Sequence, residues 1–192
     1  ILQVDGNLCY LTTSDAFDSA LGSVFALQAR DLAKTAAERA RTAAERFAVV
    51  LDAIDAVVKK YRIDTSRIYL AGTSGGGHMS MLMGAYHPER FSAVSAWVGI
   101  SDLADWQRFH VKDGEPDNYA KMTIACLGGP PGHSPEVDAQ YRERSPLFHL
   151  QRVGNLPIEL SAGVEDGHTG SVPIRHSLLA FNVIARAGGH RL

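Results

Sequence analysis

Two cysteines, Cys9 and Cys126, are all that 192 residues contain, and they stand far apart. A disulfide framework and a Cys-x-x-Cys metal or redox pair are thereby excluded as organising features. Charge of one sign is equally scarce: 19 Lys and Arg face 21 Asp and Glu, a formal net charge of −2, interspersed rather than in blocks. The electrostatic footprint of a nucleic-acid or anionic-membrane partner is missing. No apolar run approaches the roughly 20 residues that span a bilayer, and the start lacks the charged-then-apolar layout of a signal peptide. The composition is that of a soluble domain, and because the first residue is Ile1, any targeting peptide would lie before it. Phosphate-loop spacing is absent, since no Gly-Lys-Ser/Thr occurs. His110, His133 and His149 sit in segments without His-Glu-x-x-His or other ligand spacing, so neither a metal nor a cofactor is expected.

Proline is missing before Pro88. The front of the chain is therefore free of the strongest helix breaker. From Asp31 to Arg62 the sequence is rich in Ala, Glu, Arg and Leu, with Val50, Ile54, Val57 and Val58 at three- and four-residue spacing. One long helix or two abutting helices are predicted there. Thr35-Ala-Ala-Glu-Arg39 recurs as Thr42-Ala-Ala-Glu-Arg46, but two heptads are too few for a coiled-coil seam, and a solvated face is the reading. Residues 1–30 offer one short strand, around Leu8 to Leu11. With 45% hydrophobic and 21% charged residues, the whole fits a single domain. Its sequence divides into an N-terminal segment, 1–49, with a helical stretch, and a core, 50–192.

Alternation of element types governs the core. Arg67 to Ala71 reads as a short buried strand ending at Gly72, Gly76 to Tyr86 as a helix stopped by His87-Pro88, and Phe91 to Ile100 as a second strand. Residues 101–150 read as loop-rich, broken most clearly at Gly128-Gly-Pro-Pro-Gly132. Leu156 to Ala162 forms a third strand. Ser171 is the expected cap of a helix from about Val172 to Ala187, stopped by Gly188 and Gly189. Strands alternating with helices imply an α/β class with a mostly parallel sheet.

Gly72-Thr-Ser74-Gly-Gly76 matches Gly-x-Ser-x-Gly, the nucleophile elbow, in which a strained strand-to-helix turn pushes a serine hydroxyl into the open. At this composition the pattern arises by chance in roughly one chain in eight, so context decides. Here it falls between a predicted strand and a predicted helix, as the mechanism requires. The alternative is a glycine-rich structural turn.

These residues carry a resemblance. Arg67-Ile-Tyr-Leu-Ala-Gly-Thr-Ser-Gly-Gly-Gly-His78, His87-Pro-Glu-Arg-Phe91, Ser101-Asp-Leu103, Ser145-Pro-Leu-Phe-His-Leu150 and Leu156-Pro-Ile-Glu-Leu160 resemble, in order and spacing, the catalytic domain of the prolyl oligopeptidase family of serine peptidases. The resemblance covers roughly residues 50–187 and implies an α/β-hydrolase fold, a sheet flanked by helices. Neighbouring esterases of that fold share much of it. It implies a serine hydrolase of the peptidase kind, acting on a peptide or small ester. A carboxylesterase and a non-catalytic, degenerate module are the alternatives.

Carried over by position, Ser74 is the nucleophile and the Gly75 N–H one oxyanion donor. Chain order in this fold runs Ser, then Asp or Glu, then His, and Asp166, after the third strand, stands where the acid belongs, with Glu165 next in line. The sequence departs from the family in an insertion, Gly167-His-Thr-Gly170. The general base is less determined. His168 is the candidate nearest Asp166, although two close neighbours in a tight loop seldom adopt a base-and-orienter geometry. His176 falls on the helix, and His190 in the tail. The fold ordinarily places its base after a further strand, and ahead of Ser74 there is room for only one or two strands and no His-Gly-Gly-Gly motif. A partial domain is therefore expected, with the base at His168 or beyond Leu192. His78 reads as a hydrogen-bonded structural histidine. Trp97 and Trp106 flank the loop after the second strand and either pack or line a pocket.

Overall fold

In a computed structural model the described residues are 2–5, 8–11 and 43–189, with side chains from residue 47 onward. The chain lays down strands β1 (Leu2–Asp5) and β2 (Leu8–Leu11), helix α1 (Ala43–Lys60), strand β3 (Ile68–Thr73), helix α2 (Gly75–Tyr86) and strand β4 (Ala93–Trp97). Helix α3 (Leu103–Phe109), a small hairpin of β5 (Val111–Lys112) and β6 (Glu115–Pro116), and helices α4 (Asn118–Leu127) and α5 (Pro135–Glu143) follow. Strand β7 (Ile158–Ser161) and helix α6 (Arg175–Ala187) complete it. The main sheet has the order β1-β2-β3-β4-β7, antiparallel only between β1 and β2. The α/β class and the mostly parallel sheet flanked by helices are as expected.

Register separates the two faces of the sheet. Leu70 pairs with Val94, and Val94 with Ile158; Gly72 pairs with Ala96, and Ala96 with Leu160. Because side chains alternate along a strand, these residues share one face. Against that face pack Phe47 and Ile54 of α1, Met81, Leu82 and Met83 of α2, and Ala180 of α6, forming the principal core. Burying a side chain of this size contributes about 1.5–3 kcal/mol. Helix α2 is apolar on nearly every side, as befits a helix wedged between the sheet and its neighbours. The other face carries Ser95, Trp97 and Glu159. There the Trp97 Nε1–H donates to Ser95 Oγ at 2.8 Å, and the Ser95 hydroxyl donates to Glu159 Oε2 at 2.6 Å.

The expected elements over residues 50–100 and 156–187 are present with ends shifted by a few residues, β3 running on past Ala71 to Thr73 and α2 starting one residue early at Gly75. Of the long helix expected from Asp31 to Arg62, α1 accounts for the C-terminal part; residues 31–42, and with them most of the heptad pair, lie outside the described residues, as does His190. Strand β1 was not expected. The larger correction concerns residues 101–150, which are not loop-rich but hold α3, α4 and α5. Each of these begins at a short polar side chain that accepts backbone N–H groups: Asp102 from Ala104 and Asp105, Asp117 from Tyr119 and Ala120, Ser134 from Val137. Ser171 is not a cap. Helix α6 starts later, at Arg175, without a side-chain cap bond, and the Ser171 carbonyl instead accepts from Trp106 Nε1 at 2.7 Å and His110 Nε2 at 2.8 Å.

Candidate active site

Strand β3 delivers Ser74 to the C-terminal end of the parallel strands, and α2 starts at the next residue. Ser74 adopts φ 56° and ψ −117°, a conformation a residue with a Cβ rarely enters unless its surroundings impose it. Three constraints do so. The Ser74 N–H donates to Trp97 O at 2.8 Å, and Ser74 O accepts the first helical bond from the His78 N–H at 2.9 Å. The third is the approach of Gly72 to Gly76: a Cβ on Gly72 would lie 2.3 Å from the Gly76 carbonyl carbon. Ser74 is left half-exposed at the tip. Gly75 is exposed, with nothing within 4 Å of where its Cβ would be. As the first residue of α2, its N–H has no intrahelical acceptor and lies at the positive end of the helix dipole.

Asp166 lies in the loop between β7 and α6. Its Oδ2 accepts from the Gly163 N–H at 2.7 Å, and its carbonyl accepts from the Ile174 N–H at 3.1 Å. The loop is thus closed on itself at one end and tied to the approach to α6 at the other. The inserted Gly167 takes φ +94°, where a Cβ would also strike Pro173 Cα at 2.7 Å. His168 is exposed; its N–H donates to Glu165 O at 3.0 Å, and no hydrogen bond joins its ring to Asp166 or Ser74. Asp166 and His168 do share the wall of one open cleft of about 470 Å³ with Arg108, Phe109 and Pro173. Sequence reasoning passed over Arg108 because the helix that presents it was not foreseen.

The remaining candidates sort by burial. His176 is completely buried in the first turn of α6. His78 lends its Nδ1–H to Ile100 O at 2.9 Å, the structural role expected of it. Desolvation lowers the pKa of both rings, for His176 to about 4, opposed there by the Asp102 charge and reinforced by Arg175 and His78. Both are neutral imidazoles at pH 7. Trp106 is packed in a cluster with Ile100 and Val172, whereas Trp97 is 51% exposed beside the elbow. Among the described residues no group of three or more His, Cys, Asp or Glu could hold a metal ion, and no helix is long and apolar enough to cross a membrane.

The sequence profile of the prolyl oligopeptidase family matches residues 35–191. The chain belongs to the prolyl oligopeptidase family. Among solved structures it is similar to an acylaminoacyl peptidase from Pyrococcus horikoshii, 26% identical with a TM-score of 0.64, over 77% of this chain and 22% of that one. That likeness confirms the α/β-hydrolase architecture. Among curated relatives it is 26% identical over 114 residues to acetylxylan esterase A from Emericella nidulans, covering 53% of this chain and 38% of the relative. It is 27% identical over 150 residues to acylamino-acid-releasing enzyme 1 from Oryza sativa subsp. japonica, covering 72% of this chain and 17% of that enzyme. The chain therefore spans well under half the length of each.

Proposed function

We propose that the chain carries the nucleophile and the acid of a serine hydrolase that cleaves acyl bonds. The observation that supports this most directly is the backbone of Ser74, held at positive φ between a buried strand and a helix whose first N–H is open. In this reading Ser74 Oγ attacks the carbonyl carbon, the Gly75 N–H holds the oxygen as it becomes negative, and a histidine takes the hydroxyl proton. Asp166 orients that histidine and stabilises its imidazolium. The leaving group departs with the proton returned by the histidine, and water then releases the acyl group by the same steps. His168 is the candidate base on this chain, since it shares the cleft with Asp166; a histidine following a further strand is the other candidate. Peptide and ester bonds fit the same machinery. The family favours a peptidase; the similarity to acetylxylan esterase A supports an esterase as the second reading.

A fluorophosphonate probe tests the nucleophile. Labelling of one serine, abolished in Ser74→Ala, is the expected result, and labelling that survives this substitution rejects it. An ester assay on His168→Ala tests the base: turnover lost in the variant assigns it to His168, and turnover retained assigns it elsewhere.

A further inference from the structure

Three consecutive residues past the end of β4, Ile100, Ser101 and Asp102, are gripped from two sides by imidazoles of opposite hydrogen-bonding sense, His176 fully buried and His78 half-buried. From α2, four residues after Ser74, His78 Nδ1–H donates to Ile100 O at 2.9 Å. From α6, His176 Nδ1 accepts from the Ser101 N–H at 3.3 Å, the Ser101 hydroxyl at 3.3 Å and the Asp102 N–H at 3.4 Å. A carbonyl can only accept and a backbone N–H can only donate, so the tautomers follow: the proton is on Nδ1 in His78 and on Nε2 in His176. The His176 Nε2–H faces Asp105 Oδ2 at 3.6 Å, and Asp105 Oδ1 pairs with Arg175. Between the rings Ser101 and Ile100 are buried, at 0% and 4% exposure, Asp102 is half-buried, and the Leu147 N–H donates to the Ser101 carbonyl at 2.9 Å.

The proposed reaction gives neither histidine a proton to transfer, and the fully buried ring of His176 is costly to enclose. Their positions account for them. His78 belongs to the helix that begins at the elbow. His176 lies two residues past Ile174, whose N–H holds the Asp166 carbonyl. We propose that His78 and His176 clamp Ile100–Asp102 and so set the separation between the Ser74 elbow and the Asp166 loop, which makes them positioning residues for the reaction. This rests on the assignment of Ser74 and Asp166 given above. The clamp acts by geometry: a helix shift of about 1 Å between nucleophile and acid is enough to cost on the order of a hundredfold in rate.

The test uses the conservative difference between acceptor and packing. In His176→Asn the amide oxygen takes the place of Nδ1 and keeps an acceptor for Ser101 and Asp102; His176→Leu fills the space without one. Amide hydrogen exchange is read at Ser101 and Asp102, which meet the ring, and at Gly163 and Ile174, whose N–H groups hold Asp166. Turnover of an aryl ester is read alongside. His176→Leu is expected to lose protection at all four amides and to lower kcat about tenfold or more with KM changed less than about threefold. His176→Asn is expected to restore most of both. Should the Leu variant fail to fold, His176→Gln, whose longer amide reaches toward Asp105 instead of Ser101, replaces it with the same expectation. Protection at Gly163 and Ile174 that survives the loss of protection at Ser101 and Asp102 overturns the clamp, as does an Asn variant no better than Leu. If the unsubstituted protein shows no Ser74-dependent turnover, the hydrolase reading fails, and the exchange data still decide the clamp.

Discussion

The Ser74 N–H and the Trp97 carbonyl are joined at 2.8 Å across neighbouring parallel strands. The elbow is thus stitched to the end of β4 before α2 begins, and the hydroxyl is aimed by backbone bonds instead of by side-chain packing. Substitutions around Ser74 should therefore separate into those that break the backbone path and those that do not.

Gly72→Ala and Gly75→Ala make that contrast. The added methyl at Gly72 meets the backbone of Gly76 at 2.3 Å, while at Gly75 it meets nothing within 4 Å. Gly72→Ala should cost about 3 kcal/mol or more, the upper range of overpacking, because backbone cannot swing aside. Gly75→Ala should stay within about 1 kcal/mol. Urea unfolding midpoints compare the two; equal midpoints would show that the turn relaxes around Gly72.

Under the proposed assignment, Asp166→Asn should leave the fold standing and remove the carboxylate that orients the base. The amide oxygen can still accept from the Gly163 N–H, which keeps the loop closed. A fall in kcat of about 10⁴ is expected, since the base would be held in the wrong tautomer. Near-normal turnover would move the acid to Glu165.

Acid should weaken the fold through His176. Its pKa is lowered from the ordinary 6.5 to about 4 by burial first, with Arg175 and His78 adding to the shift and Asp102 opposing it; Asp105 faces its Nε2. Between those values the unfolded chain binds a proton that the folded chain refuses, so stability is full above pH 6.5 and falls as pH drops toward 4. The contribution amounts to about 3 kcal/mol over that window. It should be missing from the stability profile of His176→Asn, which cannot titrate. Parallel profiles for the two proteins between pH 7 and 4 would count against it.

Trp106→Phe should loosen the far side of the acid loop. The indole N–H is one of two donors on Ser171 O, and its loss should cost about 1–2 kcal/mol. His110 retains its own bond to that carbonyl, so the effect should be smaller than that of Trp106→Phe combined with His110→Phe. A thermal melt of the single and double variants measures the difference.

Local signals carried much of this molecule into view from sequence alone. The elbow was legible because its strand, its glycines and its serine fall within ten consecutive residues, and α1 was legible from Val50, Ile54, Val57 and Val58 at three- and four-residue spacing. The helices between residues 103 and 143 were obscured by their brevity: seven to ten residues hold only about two to three turns of pattern. The signals that could have found them, the caps at Asp102, Asp117 and Ser134 and the Asp113-Gly114 turn between β5 and β6, went unread. The role of His176 was not. Its helix could be foreseen, but Ser101 lies 75 residues earlier, and only the sheet order brings the two together.

The indole of Trp97 has a practical consequence. The chain contains two tryptophans; Trp106 is 9% exposed and Trp97 51%, anchored through Ser95 at the strand end beside Ser74. One fluorophore is shielded from a collisional quencher and the other is open to it. The quenchable fraction of the emission therefore reports on Trp97, the residue whose carbonyl holds the Ser74 N–H, with the shielded indole as its internal standard.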